Sequence, residues 1–484
     1  MNTNWFVMLL QYFSPGFSRF LQRSRSRQTK NDRSAHIQSA MDDTSNWKKN
    51  AYSRFIRAFC GWVGIGLAGF SVMSFSTIAQ AVKPKAYWEW KEKEFALWLT
   101  GQYRPRFEFM QRRDLESPGN SLSSKDNLFI NHRARLAVGG RTSKYVTFFL
   151  QLQDVRQWGT SPNDFRADGF DLYRGWIEAT LAGPLSIKAG RMELVYDGKR
   201  LLGNADWRPQ ARSFDAIQIK VEPKDFKFHA IYSKLSASGD PASESHLAVA
   251  WFHYRAMKVF QPSVYYMLHY QPADSQYRHT TGFYLKGRTG AFSYTGELFL
   301  QFGSLEFLGQ SRDIFAWLGA ASVTYQLLQH PSEPKLVVWA ELISGQDEGA
   351  TDGTVRSFVT TFGNNHKHYG LMDFFLNIPA HTRNAGLVDS GIGFRVKPPI
   401  NGLFARLDIH YFRLFSPLTN PTGDKVQNLG VEFDLILKYT IQKGYLYLLA
   451  IYGLMLPFED GGFTALGKGN GAESWFAFHV DLKF

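Results

Sequence analysis

From Phe95 to Phe484 the chain alternates between apolar and polar positions. Near the C-terminus, Phe476, Phe478, Val480, Leu482 and Phe484 fall on one face, and Ala477, His479, Asp481 and Lys483 on the other. That is the period of two that strand side chains follow. Leu429, Val431, Phe433, Leu435 and Leu437 likewise alternate with Gly430, Glu432, Asp434 and Lys438, and Ile392, Phe394 and Val396 with Gly393, Arg395 and Lys397. Leu403, Ala405, Leu407, Ile409 and Tyr411 oppose Arg406, Asp408 and His410, while Val146, Phe148, Leu150 and Leu152 oppose Thr147, Gln151 and Gln153. About eighteen such segments follow one another, starting near 95, 129, 144, 171, 185, 214, 226, 246, 262, 279, 291, 313, 335, 386, 403, 428, 445 and 474. No apolar run in this region is long enough to span a bilayer as a helix.

The connections carry a second rhythm. Short ones, such as 139–143, Ala182-Gly183-Pro184, 222–225, 288–290, 397–402 and 442–444, alternate with long ones near 111–128, 155–170, 195–213, 235–245, 302–312, 344–385, 415–427 and 456–473. Short turns at one end and long loops at the other predict an all-β, antiparallel transmembrane barrel with an even strand count. A soluble sandwich, the reading left if the outer face is not lipid, has no reason to keep that alternation. The first and last connections are long, which puts both termini at the short-turn, periplasmic end. A barrel this wide leaves an aqueous lumen, so function is expected on its inward row and on loops folded into it. The 344–385 loop is the longest and is expected to form a constriction or lid.

Ahead of this region, Lys48, Lys49, Arg54 and Arg57 precede the apolar run 61–81, which ends Ala79-Gln80-Ala81. Basic flank, apolar run and small-residue site make a secretory leader, with cleavage expected after Ala81; a membrane anchor of similar length is the alternative. Met41 is a candidate start that would give a leader of ordinary length. The division expected is therefore 1–81 extension and signal peptide, 82–94 periplasmic lead-in and 95–484 barrel. Gly64, Gly66 and Gly69 match the dinucleotide fingerprint, but no βαβ unit surrounds them.

Composition fits this picture. Aromatic residues make up 16% of the chain and Gly 42 residues, yet mean hydropathy is −0.27, as alternation of apolar and polar rows requires. The formal charge of +13 is concentrated at the front: residues 1–81 hold 10 basic and 3 acidic side chains, and the remainder 45 and 39. The barrel's excess is too small, and motifs too lacking, for a nucleic-acid partner, but it makes a lumen electropositive if the basic side chains face inward. The one cysteine, Cys60, lies in the leader. No Gly-x-Ser-x-Gly elbow, His-Glu-x-x-His or P-loop occurs, and no catalytic, metal or cofactor site is read from the sequence. A barrel hydrolase using His279 or His410 with a serine is the enzymatic alternative.

One stretch is distinctive: Gly190-Arg191, then Tyr196-x-x-x-Arg200-Leu201-x-Gly203, then Asp206-Trp207, then Arg212-x-Phe214-Asp215. It resembles the most recognisable segment of the alginate-export porin family, and 367–375, His410–Leu414 and Leu429–Asp434 look like further features of it. The resemblance implies an eighteen-stranded outer-membrane barrel with an arginine-lined constriction, passing a polyuronate from periplasm to exterior. Its partners would be the anionic polysaccharide or another anion, outer-membrane lipid and periplasmic export scaffold proteins. Many members look like channels with other cargo, so an anion or small-solute uptake porin stays open.

Candidate cargo contacts are the cations on the water-facing parity, Arg133, Arg135, Arg174, Lys188, Arg395 and Arg406 (with Lys397 and Lys438), and those of the loops, Arg200, Arg208, Arg212 and Lys367. Each guanidinium can hold a carboxylate through two parallel hydrogen bonds. The competing reading is scaffolding, in which inward acids pair with these cations; Glu178, Asp408, Glu432 and Asp434 share the parity, as do Glu297 and Asp481, and Asp206 lies in the loop. Arg191 and Asp215 fall on the lipid-facing parity, so they are expected above the membrane or after a bulge, paired with each other.

Overall fold

The structure, a computed structural model, describes residues 88–92, 95–111, 127–159, 169–236 and 244–484. The expected leader lies outside these residues, as do parts of three expected loops. The described chain forms one sheet closed on itself. Its staves are β2 (Phe95–Gln111), β3 (Asn127–Arg141), β4 (Val146–Gln157), β5 (Gly169–Ala182), β6 (Leu185–Met192) and β7 (Phe214–Val221). There follow β8 (Phe226–Ser236), β9 (Ser245–Tyr254), β10 (Gln261–Gln271), β11 (Gln276–Thr289), β12 (Phe292–Phe307), β13 (Gln310–Gln326) and β14 (Lys335–Ile343). The last are β16 (Leu387–Val396), β17 (Leu403–Thr419), β18 (Lys425–Gln442), β19 (Leu446–Pro457) and β20 (Glu473–Lys483). These eighteen strands pair antiparallel with their neighbours, and β2 meets β20 (Tyr103 opposite Leu482) to close the barrel. Each starts within three residues of the position read from the alternation.

Two short strands sit outside the staves. β1 (Trp88–Glu92) folds back on β2, pairing along Phe95–Leu99, so residues 88–92 of the expected lead-in belong to the sheet. β15 (Thr354–Val355) lies within the longest loop and pairs parallel with β13.

The loop pattern needs correction. Only Leu308 and Gly309 separate β12 from β13, β17 and β18 are joined across 420–424, and β10 meets β11 through Pro272–Ser275. The connections expected at 302–312 and 415–427 are therefore largely strand. Above the lipid an outward side chain has no need to be apolar, so the alternation fades while the backbone ladder continues. At the other end the 327–334 link between β13 and β14 is longer than a tight turn.

Closure satisfies the backbone groups that hydrocarbon would leave unpaired, and the outer row is apolar: Leu150, Ile177, Ile217, Phe315, Ile392 and Leu437 are all exposed. No described helix is long and apolar enough to cross a membrane. At the seam, Gly101 and Phe484 exchange backbone hydrogen bonds (2.5 and 3.1 Å), and the Phe484 ring lies over Gly101, where an added Cβ would come within 2.3 Å of it. Gly101→Val is therefore expected to cost about 1–3 kcal/mol, the usual penalty for overpacking, read by urea unfolding of the refolded barrel in lipid vesicles.

Candidate functional site

Two long loops, 193–213 between β6 and β7 and 344–386 between β14 and β16, fold into the barrel and pack there. Leu194, Tyr196, Leu201 and Leu202 of the first and Phe358, Tyr369, Phe374, Phe375 and Ile378 of the second are buried in one apolar cluster with inward residues of the wall, among them Met267, Phe299, Phe412 and Met455. To this apolar contact the wall adds charged seats.

Arg200 is the clearest. Its guanidinium gives two parallel hydrogen bonds to Glu341 of β14, both 2.8 Å, one of 2.9 Å to Glu297 of β12 and one of 3.0 Å to the Tyr369 hydroxyl. Burial works against its charge, but Glu297 and Glu341 outweigh burial and hold its pKa well above the ordinary value. Arg200 is thus a strut joining both loops to the far wall, with its hydrogen-bonding capacity spent on protein. Burial, with Arg200 and Lys367 nearby, keeps the neighbouring His368 imidazole well below 6.5, so it is neutral at pH 7. Its Nε2 lies 3.1 Å from the Gly198 carbonyl and must donate to it. On β18, Glu432 accepts the Met372 amide N–H and Asp434 that of Leu371, each at 3.0 Å. Gly370 makes the approach possible: its φ is +78°, and a Cβ there would lie 2.4 Å from Glu432 Oε1.

The opposite wall is basic. Arg104 and Arg106 of β2 and Arg133 and Arg135 of β3 are all buried, and Arg104 stands directly across from Arg133. Asp206 of the first loop reaches Arg133 (3.1 Å), Arg135 (3.6 Å) and Arg104 (3.8 Å), and Glu108 lies 2.6 Å from Arg106. Four guanidiniums thus share two carboxylates. Carbonyls of the loop complete the contact, Asp206 O accepting from Arg104 at 3.0 Å and Trp207 O from Arg106 at 2.5 Å. Even so, Arg133 Nε and Arg135 Nη2 remain buried donors without a hydrogen-bond partner. The Trp207 ring is clamped between the Arg106 guanidinium (4.2 Å) and the parallel His366 imidazole of the second loop (4.5 Å).

The loops add positive charge. Lys199, Arg208, Arg212 and Lys367 make no ion pair among the described residues; Lys199 bonds to Asn204, Lys367 to the Gly198 carbonyl, and Arg212 to the carbonyls of Gly203 and Gly363. Burial and the nearby Arg208 push the Arg212 guanidinium down to about 10, still charged at pH 7. Arg208 is exposed.

The other candidates divide differently. Arg174 pairs with Glu193 at 3.0 Å, Glu178 pairs with Lys220, and Lys188 lies 3.8 Å over the Trp176 ring. Arg395 and Arg406 share Asp408 near the N-terminal end of the barrel, with Asp434 directly opposite Asp408 on β18. Arg191 points outward and pairs with Asp215, directly opposite it, at 2.9 Å. Arg104, Arg106 and Glu341 were missed in the sequence. Arg104 and Arg106 do alternate with Tyr103, Pro105 and Phe107, but a proline between them argues against an interior strand.

A closed barrel with an apolar outer face, and two loops seated in a charged lumen, defines an outer-membrane channel. The chain belongs to the alginate export family, whose profile matches residues 95–380. No curated protein sequence matches it. In fold it is similar to Pseudomonas aeruginosa OpdK, solved with vanillate (12% identity, 80% of this chain and 98% of that one, TM-score 0.54). It is equally similar to Acinetobacter baumannii OccAB2 and to a BenF-like porin from Pseudomonas fluorescens Pf-5, each at 13% identity over 80% of this chain and 98% of theirs, TM-score 0.54.

Arg200→Met strands Glu297 and Glu341 as buried charges without a partner; the expected loss is about 3–5 kcal/mol, measured by urea unfolding in vesicles, with Arg200→Lys restoring part of it. A pH effect follows from Asp206. Burial alone would raise its carboxyl, but Arg133, Arg104 and Arg135 outweigh that and hold it below the ordinary 3.8. A depressed carboxylate contributes fully above its unfolded pKa and is lost as pH falls through the folded one. Its tether to the arginines is therefore expected to leave single-channel conductance flat from about pH 8 to about pH 5 and to release only in stronger acid. Asp206→Asn should abolish that acid step.

Proposed function

We propose that this barrel is an anion-selective conduit whose cargo is an acidic polysaccharide of the polyuronate class, leaving the periplasm. The observation that carries the reading is the imbalance where the 193–213 loop meets β2 and β3: Arg104, Arg106, Arg133 and Arg135 have only Asp206 and Glu108 as carboxylates within 4.0 Å, while Lys199, Arg208, Arg212 and Lys367 of the loops have no carboxylate partner among the described residues. A polyuronate presents roughly one carboxylate per sugar, and arginine binds that group in its own plane. Conduction needs contacts firm enough to admit the chain and loose enough to release it. A contact at about 4 Å is worth roughly 1 kcal/mol in bulk water and about 4 kcal/mol at an effective dielectric near 20, so several partly screened contacts suit passage better than one dry site. Membership of the alginate export family supports this cargo.

Uptake of small anions is the second reading. The apolar packing of the two loops narrows the lumen, which suits a small solute, and OpdK of similar fold was solved with vanillate, itself a carboxylate.

Planar-bilayer recording tests both. The expected result is preference for anions, block by polyuronate oligomers added on the periplasmic side, and a severalfold fall in anion-to-cation permeability in the double variant Arg133→Gln, Arg135→Gln. Preference for cations, or indifference to both oligomers and small carboxylates, overturns the anionic conduit. Block by small aromatic carboxylates alone transfers the assignment to uptake.

A further inference from the structure

Six arginines are buried among the described residues: Arg104, Arg106, Arg133, Arg135, Arg200 and Arg278. Five have a carboxylate within 4.0 Å; Arg278 has none among the described residues. It sits on β11, two positions from the strand's start at the long-loop end of the barrel, and is 6% exposed. Its Nη1 and Nη2 donate only to the side-chain oxygens of Gln301 and Gln276, both at 3.3 Å. These are long, neutral contacts, and a buried cation served by neutral dipoles alone is poorly compensated.

Arg278 also faces a space. A small, partly open recess of about 20 Å³ is bounded by Met267, His269, Arg278, Thr280 and Gln301 on the wall, by Leu201, and by 359–362 of the long loop. Gln301 is not free to turn toward a ligand, because its amide exchanges hydrogen bonds with the Val359 main chain at 2.9 and 3.0 Å. The guanidinium is thus the one charged group in the lining. A cation held in a small, partly enclosed and mainly apolar pocket, with Thr280 and Gln301 beside it and no acid in the lining, is the complement of a single compact anion.

We infer that Arg278 is the core of an anion-binding recess, separate from the constriction, that takes one halide or carboxylate head between the wall and the long loop. The bound anion supplies the missing counter-charge and bridges β11 to the 359–362 segment, so that the loop's seat depends on it. The inference does not require the polyuronate reading, since Arg278 lies apart from the Arg104–Arg135 cluster.

Anomalous diffraction from crystals of the complete barrel grown with bromide tests the inference. A bromide peak is expected within about 3.5 Å of the Arg278 guanidinium, the range of a hydrogen-bonded contact, and is expected to vanish in Arg278→Met. Repeating the experiment with added galacturonate separates the sources. Bromide that persists identifies a free halide, and bromide replaced by an ordered carboxylate identifies a sugar acid; either result supports the site. Only water beside Arg278 in the wild-type protein overturns it, as does a bromide peak unchanged by the substitution. The wild-type crystals decide the matter even if the variant does not fold.

Discussion

A backbone amide in hydrocarbon must find its partner within the protein, and that demand shapes every level of this molecule. Closure of β2 on β20 removes the sheet edges, and closure divides the side chains between an outer apolar row and an inner polar one. The inner wall is apolar in part, with Met267, Phe299, Phe412 and Met455 among its buried residues, so the 193–213 and 344–386 loops pack against it and dock through a few buried charges. Arg200 on its two glutamates, and Glu432 and Asp434 beneath the 371–372 amides, are those fixings.

The same division produces an asymmetric interior. Arginines crowd β2 and β3, while Glu297, Glu341, Asp389, Asp408, Glu432 and Asp434 occupy the wall from β12 to β18. The two sides are not equivalent in what they spend on the protein itself. The acids find partners in Arg200, in loop amides, in His410 at 3.0 Å from Asp389, and in Arg395 and Arg406 on Asp408, while Glu432 and Asp434 each keep one oxygen unbonded. The arginines are under-supplied with acids and keep unsatisfied donors. Formal charge along the chain is nearly balanced after residue 81, yet unspent donors gather on the arginine side and unspent acceptors, Glu432 Oε2 and Asp434 Oδ1, on the acidic one.

Much of the barrel was legible in the sequence because period-two alternation survives wherever lipid and water lie on opposite faces. It fades where both faces meet water, so the tops of β12, β13, β17 and β18 read as loop in the sequence. The site was legible in part. Arg133 and Arg135 stood out by alternating with Ala134 and Leu136, whereas Arg104 and Arg106 were masked by Pro105. Nothing in sequence spacing reveals that Arg200 finds Glu341 at a separation of 141 residues, since that pairing exists only once the loop has folded inward. The four segments that resembled the family meet in space: Arg200 touches Tyr369, Glu432 and Asp434 hold 371 and 372, and Phe375 packs on Phe412 at 4.9 Å.

The wall grips the longest loop by its main chain at Val359, Leu371 and Met372. Peptide groups are the same whatever residue carries them, so at Val359, Leu371 and Met372 the grip does not depend on the side chain, provided Gly370 stays a glycine. A lineage can therefore rewrite many of the loop's side chains, and with them the solute it discriminates, while the strap stays fastened where it is.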